Sequence, residues 1–193
     1  MTRVRSTETS RGRSQRERIL QAAMKTFSTQ GFRGTSLDAV ADAVGMTRQG
    51  LLHYFPSKVQ LLLGVLDLRE EQNLERVERM LQRAGLADTL IQLVSSNQAR
   101  PELVRLFTVL AAESVDIDHP GHDRFVARYR DVRLHMAERN AEEQAAGVIR
   151  AALAPETLAV LLIAVMDGLQ LQHLMDPDAV DMVGPLSDLL ALL

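Results

Sequence analysis

An all-α fold is predicted by three properties of the 193-residue chain. Apolar residues recur at spacings of three and four along most of its length, and no segment alternates as a half-buried strand would. Capping and breaking residues divide the chain into about nine helical stretches. With 46% hydrophobic residues it suits a globular protein of one or two small domains, burying ~70% of its unfolded surface.

The first helix is marked by Ser14 with Glu17 three residues on, a capping-box pattern. Ile19, Leu20, Ala23, Met24 and Phe27 follow on one face, and Gly31 is the stop. Leu37, Val40, Ala41 and Val44 form the stripe of a second, short helix, which Gly45 ends because it tolerates a left-handed conformation. Thr47 is the N-cap of a third. Its hydroxyl accepts a backbone N–H, so Arg48, Gln49 and Gly50 fill an exposed first turn while Leu51 and Phe55 face inward. Pro56 ends that helix and Ser57 caps the next. A short, polar-fronted helix held behind a tight turn is the shape that carries side chains into a major groove, so residues 45–58 are a candidate helix-turn-helix. An ordinary helical hairpin has the same outline, and the turn alone does not separate the two.

The fourth helix opens with Lys58, Leu61, Leu62, Val65 and Leu66 and continues through Leu68, Leu74, Val77 and Leu81 to Gly85, with Glu75 and Arg79 spaced as an i,i+4 pair. It is long enough, at about 40 Å, to link an N-terminal domain to the remainder. Helices over residues 88–100 and 101–114 follow, the second with Pro101 at its first position and Leu103, Leu106, Phe107 and Leu110 as a stripe. A polar loop over 116–121 leads to a helix presenting Phe125, Tyr129, Val132 and Met136, which fades before Gly147. The helix over 155–175 is apolar around its whole circumference between Leu158 and Met166, so it needs cover on every side, from its own core or from a second copy of the chain. Gly184-Pro185 kinks or restarts the last helix, which carries Leu186, Leu189 and Leu190.

Charge is unevenly distributed. Residues 1–60 carry ten Lys or Arg against four Asp or Glu, a net of +6, whereas residues 61–193 carry twelve against twenty-one, a net of −9. A basic N-terminal end on an acidic body suits a polyanion partner at that end. Arg3, Arg5, Arg11 and Arg13 form a basic, flexible arm over residues 1–13, which can lie on phosphates or simply stay solvated. The absence of cysteine excludes disulfides, thiolate metal sites and a cysteine nucleophile. With no apolar signal segment at the N-terminus, a cytoplasmic location is expected. The longest near-continuous apolar run, 158–166, has nine residues, so no membrane partner is expected.

The spacing of Ile19-Leu20-Gln21-Ala22-Ala23, Phe27, Gly31-Phe32, Gly34-Thr35-Ser36-Leu37, Val40-Ala41, Val44-Gly45-Met46-Thr47 and Phe55-Pro56-Ser57-Lys58 resembles the N-terminal domain of the TetR family, over about residues 14–66. Ala164-Val165-Met166-Asp167-Gly168-Leu169-Gln170-Leu171-Gln172, with Met175-Asp176-Pro177, is similar to C-terminal domains of the AcrR and BetI type. The resemblance implies a TetR-like organisation. A three-helix DNA-binding domain (14–60) is joined by the long helix to a helical ligand-binding and dimerisation domain (61–193). It also implies a homodimeric repressor that binds a pseudo-palindromic double-stranded operator and is released by a small-molecule effector.

Carried over position by position, the resemblance places Arg48 and Gln49 at base-reading positions, where an Arg can grip guanine and a Gln adenine. Tyr54 and Lys58 match phosphate-contacting positions, and Thr35, Ser36 and Thr47 can donate hydroxyl hydrogen bonds to the DNA backbone. Gly50 either lets the helix approach the groove closely or serves its crossing near the preceding helix, and His53 is a further DNA-contact candidate. Leu52 departs from the tyrosine many members carry, leaving it either to pack or to touch a thymine methyl. For the effector, the inward candidates are Phe107, Leu110, Phe125, Tyr129, Arg133, Met136, Met166, Leu169, Gln170 and His173, with Glu113 as a further polar group. A lining of that kind suits a small, largely hydrophobic molecule. Leu158, Leu161, Leu162, Val165, Leu186, Leu189 and Leu190 are the candidate dimer surface.

Catalysis and cofactor binding find little support. His119-Pro120-Gly121-His122 beside Asp116, Asp118 and Asp123 offers imidazole and carboxylate ligands for a metal, but without HExxH-type spacing it reads first as a polar turn, and no metal is assigned. Glu70-Glu71 and Glu142-Glu143 read as solvated helix faces. The contrasting functional class is a helical small-molecule-binding or interaction module that does not engage DNA.

Overall fold

The computed structural model describes residues 10–81, 83–150 and 153–193, with the backbone alone for residues 10–13, 71–75 and 78. Arg3 and Arg5, the side chains of Arg11 and Arg13, and the Glu75–Arg79 pairing lie outside the described residues. Nine helices and no strand are present among those described: α1 (Ser10–Gly34), α2 (Leu37–Ala43), α3 (Arg48–Tyr54), α4 (Lys58–Leu81), α5 (Leu86–Gln98), α6 (Pro101–Glu113), α7 (His122–Ala145), α8 (Pro155–Met175) and α9 (Val183–Ala191).

The predicted punctuation acts where it is local. Thr47 accepts the Gly50 N–H at 3.1 Å, Ser36 accepts that of Ala39 at 3.0 Å, and Ser57 that of Gln60 at 3.1 Å. Pro101 occupies the start of α6. The Ser14 cap is corrected: α1 begins at Ser10, and its Arg- and Gln-rich first turns extend the helix past the capping-box residue. Gly31, at φ 68°, breaks the helix where expected, and the chain makes one further turn to Gly34.

Two apolar cores organise the molecule. The first joins Ile19, Phe27, Leu51, Phe55, Leu61 and Leu62 with Leu106, Leu110 and Phe125. The three N-terminal helices are therefore packed against α4, the length of α6 and the start of α7. α4 crosses α1 closely at Gly64, where a Cβ would stand 2.9 Å from Phe55 Cε1 and 3.0 Å from Leu20 Cδ2. The second core joins Leu86, Leu90 and Val94 of α5 with Met136, Leu158, Leu162, Met166, Met182 and Leu186.

α8 is long and apolar enough to cross a membrane by length and composition, but here it packs along α7 and across α6. Its own chain covers it on one face only. Leu158, Ala159, Leu162, Ile163, Met166, Leu169 and His173 are buried, whereas Val160, Leu161, Leu171 and Met175 are exposed. Polar contacts fix the neighbouring ends: Glu143, read from sequence as solvated, accepts the Leu86 N–H at 2.7 Å and caps α5, and His173 Nδ1 lies 2.7 Å from the Val180 carbonyl oxygen.

Candidate nucleic-acid interface

The turn between α2 and α3 is built from few parts. Gly45 sits at φ 68°, with nothing near the place a Cβ would occupy, so backbone conformation alone selects glycine there. The Met46 N–H donates to the Ala41 carbonyl at 2.9 Å, and its sulfur accepts from Gln15 Nε2 of α1 at 3.0 Å. Leu51 is fully buried beneath α3. The turn is thus tied to α1 and α2, and α3 presents its N-terminus outward.

On that outward turn Arg48 and Gln49 are exposed, as are Thr47 and His53. The Arg48 guanidinium is held by Asp38 of α2 at 3.2 Å, an ion pair between two largely exposed side chains. Gly50 leaves room beside Met46 and Thr47, since a Cβ would stand 3.3 Å from Met46 Cε. Tyr54 is half-buried against the first core and meets the His53 ring edge-on at 5.7 Å. Leu52 is half-buried on the same helix. The base contact expected of Arg48 requires it to leave Asp38, so Asp38→Asn is expected to strengthen DNA binding severalfold. The basis is the loss of an exposed pair worth about 0–1 kcal/mol together with one repelling charge; filter-binding titrations at fixed salt check this.

Two of the predicted backbone contacts take other roles. Thr35 is buried and spends its hydroxyl on the Gly31 carbonyl at 2.7 Å, so it closes the end of α1 and is withdrawn from the DNA-facing set. Lys58 donates to the Thr35 carbonyl at 2.9 Å and the Arg33 carbonyl at 3.3 Å, and lies 4.7 Å from the Phe32 ring centroid. It clamps the last turn of α1, leaving a single N–H for a phosphate.

The same end of α1 is tied to the body. The carboxylate of Glu113, at the end of α6, accepts the Phe32 N–H at 3.1 Å, directly after the break at Gly31. Arg33 pairs with Asp116 at 3.2 Å. His119 is buried, its ring edge-on to Phe32 at 5.2 Å. Its Nδ1 accepts the Gly121 N–H at 3.1 Å, leaving Nε2 to carry the proton 3.8 Å from Glu113. Burial lowers the His119 pKa below its ordinary value, against the raising influence of Glu113. His122 Nδ1 in turn lies 2.9 Å from the Ser114 carbonyl oxygen. The two histidines considered as metal ligands are thus structural groups of this junction, and no group of three potential metal ligands gathers among the described residues.

The effector candidates separate. A cavity of about 100 Å³ between α4, α6 and α7 brings together Phe107 and Phe125, with Leu66 and Arg128. Leu110 belongs to the core beneath α1, while Met136, Met166 and Leu169 fill the second core. Arg133 is exposed on the outer face of α7 and is corrected from a lining residue to a solvated one. His173 is committed to the loop before α9, and Gln170 is half-buried on α8. Tyr129 donates to Asp167 at 2.8 Å across α7 and α8; burial, followed by that bond, pushes its hydroxyl up to about 12.

The dimer candidates separate too. Leu158, Leu162 and Leu186 are buried in their own chain's core and are withdrawn from any surface. Val165, Leu189 and Leu190 are partly buried at its margin, and Leu161 is exposed. Sequence reasoning missed Val160, Leu171 and Met175, although their spacing from Leu161 on α8 was available. It also missed Asp38 and the arginines Arg69, Arg76 and Arg128, and it offered Glu113 to the effector where the structure commits it to the end of α1.

Comparison with known proteins agrees with this geometry. The profile of the bacterial regulatory proteins, tetR family, matches residues 19–65. That of the BetI-type transcriptional repressor, C-terminal, matches residues 82–183. The chain is 45% identical over 53 residues to the HTH-type transcriptional regulator RutR of Escherichia coli strain K12, a match covering 28% of this chain and a quarter (25%) of RutR. A TetR transcriptional regulator from Chloroflexus aurantiacus superposes with a TM-score of 0.81 at 27% identity, covering 95% of this chain and 96% of that one. FadR of Bacillus subtilis, solved in complex with stearoyl-CoA, shares the fold at a TM-score of 0.76 and 16% identity, over 91% of this chain and 96% of FadR.

Proposed function

Because the chain belongs to the tetR family of bacterial regulatory proteins, we propose that it is a ligand-responsive transcriptional repressor. A homodimer places two copies of α3 in successive major grooves of a pseudo-palindromic operator and obstructs transcription. The observation that carries this reading is the exposed pair Arg48 and Gln49 at the front of a helix fixed from behind by Leu51 and the Gln15–Met46 contact. Base contacts from Arg48 and Gln49 supply specificity, while Ser36, Thr47, His53, Tyr54 and the remaining Lys58 N–H position the domain on the DNA backbone. The work is done in the cytoplasm, where the DNA is.

The dimer reading is supported by the uncovered apolar side of α8, with Val160 and Leu161 about half exposed and Met175 three-quarters exposed. The effector reading is supported by the cavity beside Phe107 and by the complex of FadR, a chain of the same fold, with stearoyl-CoA. Release requires the effector to bind the non-DNA conformation more tightly, and a tenfold loss of operator affinity needs about 1.4 kcal/mol of coupling.

Selection of genomic fragments by the purified protein at two salt concentrations tests the reading. Enrichment of fragments sharing an inverted repeat is expected, with affinity falling steeply as salt rises. Fragments bound without sequence preference at either salt would refute it.

A further inference from the structure

The interior of α4 carries an anomaly. Leu62 and Leu66 are buried, and the same stripe, continued at spacings of three and seven, meets Arg69 and Arg76 where apolar residues would be expected. Both guanidiniums are partly withdrawn from water. One terminal nitrogen of Arg76 is buried with no hydrogen-bond partner, and Arg69 pairs with no carboxylate among the described residues. An arginine cannot shed its charge, so an unpaired buried guanidinium is costly unless an anion meets it.

Further arginines converge on the same place. Arg69 and Arg128 each lie 5.5 Å from the centroid of the Phe107 ring. Arg128, Arg76 and Arg100 all add like-charge repulsion to the desolvation that brings Arg69 down to about 10, and Arg100 does the same to Arg76. Among the described residues, two carboxylates of the cavity are already committed, Glu70 to Arg128 and Asp67 to Arg124, and Asp131 is the third. Among the described residues Arg69, Arg76 and Arg100 therefore outnumber the one uncommitted carboxylate, Asp131, beside a cavity to which Phe107, Phe125 and Leu66 give apolar walls.

We propose that this site takes a small organic anion, a carboxylate or phosphate ester, with its charged end between Arg69 and Arg76 and its apolar body against the Phe107 side of the cavity. The assignment rests on the regulator reading above and gives the chemical class of its effector. Neutral molecules of the same shape leave the arginine charge uncompensated, and ammonium compounds add to it.

Thermal unfolding of the full chain, without DNA and at constant ionic strength, tests this with sodium benzoate, phenylacetate and phenyl phosphate. Phenylacetamide, phenethylammonium chloride and inorganic phosphate serve as comparisons. At least one organic anion is expected to raise Tm by about 5 °C or more near saturation, with the amide and the ammonium compound inert. Inorganic phosphate should act more weakly, since it lacks the apolar body. Arg69→Met/Arg76→Met should weaken anion binding at least tenfold, and it should raise the Tm of the unliganded protein by relieving repulsion. A structural role for the arginines predicts the opposite sign for that second readout. Equal effects of anion and amide, no effect of any anion, or an unliganded double variant less stable than the parent would each overturn the assignment. Operator release by a neutral compound, with all anions inert, would overturn this assignment while leaving the repressor reading intact. Anion binding without any sequence-preferred DNA would do the reverse.

Discussion

Arg48→Ala is expected to weaken operator binding by about 10- to 10⁴-fold while leaving Tm nearly unchanged. A well-formed arginine–guanine pair discriminates by about 1–3 kcal/mol, and a symmetric dimer loses it at both half-sites. Arg48 contributes little to the fold, since it is exposed and its partner, Asp38, is exposed as well. The affinity loss should fall on specific sequence far more than on random DNA, because phosphate contacts are untouched. Gln49→Ala should relax preference at one neighbouring base pair of each half-site. Fluorescence anisotropy with the selected operator and a scrambled duplex measures both. An Arg48→Ala protein that keeps its discrimination between the two would remove Arg48 from the reading positions.

Glu113→Ala acts on the fold instead. It leaves the Phe32 N–H without its acceptor and removes the negative charge beside the buried His119 ring, a cost of about 1–3 kcal/mol that lowers Tm by roughly 3–10 °C in a chain of this size. Glu113→Gln keeps an acceptor for Phe32 and should lose less. The junction also titrates. Burial depresses the His119 pKa in the folded state below the 6.5 of the unfolded chain. The unfolded chain then binds the extra proton first as pH falls, so stability present above pH 6.5 is lost progressively below it. Tm measured from neutral to mildly acidic pH should show this slope, and His119→Asn should flatten it. If Glu113→Ala unfolds at the parental temperature, the contact does not hold the two parts together.

What the sequence made legible was local. The Thr47 and Ser57 caps, the Gly45 turn and the Pro101 start each depend on residues within four positions, and all act as read. The misreadings came where direction or distance mattered. An apolar circumference on α8 does not say which side meets its own core, so Leu158 and Leu162 were assigned outward and Val160 was overlooked. Thr35 had the chemistry of a phosphate donor, but a carbonyl one turn earlier claimed it. Glu113 finds Phe32 across 81 residues, a pairing that helical periodicity does not encode. Arg69 and Arg76 left a usable signal: charge at core positions of a stripe.

The first core has a consequence for protein engineering. Leu106, Leu110 and Phe125 pack with Ile19, Phe27 and Leu61, so the reading head does not end where α4 begins. A hybrid made by joining residues 1–60 to another regulator's body would cut through that core and leave Ile19 and Phe27 facing foreign side chains. Transplanting the DNA specificity of this chain calls for exchanging the α3 surface alone, at Arg48, Gln49 and their neighbours. Transplanting the whole head calls for moving α6 and the first turns of α7 with it.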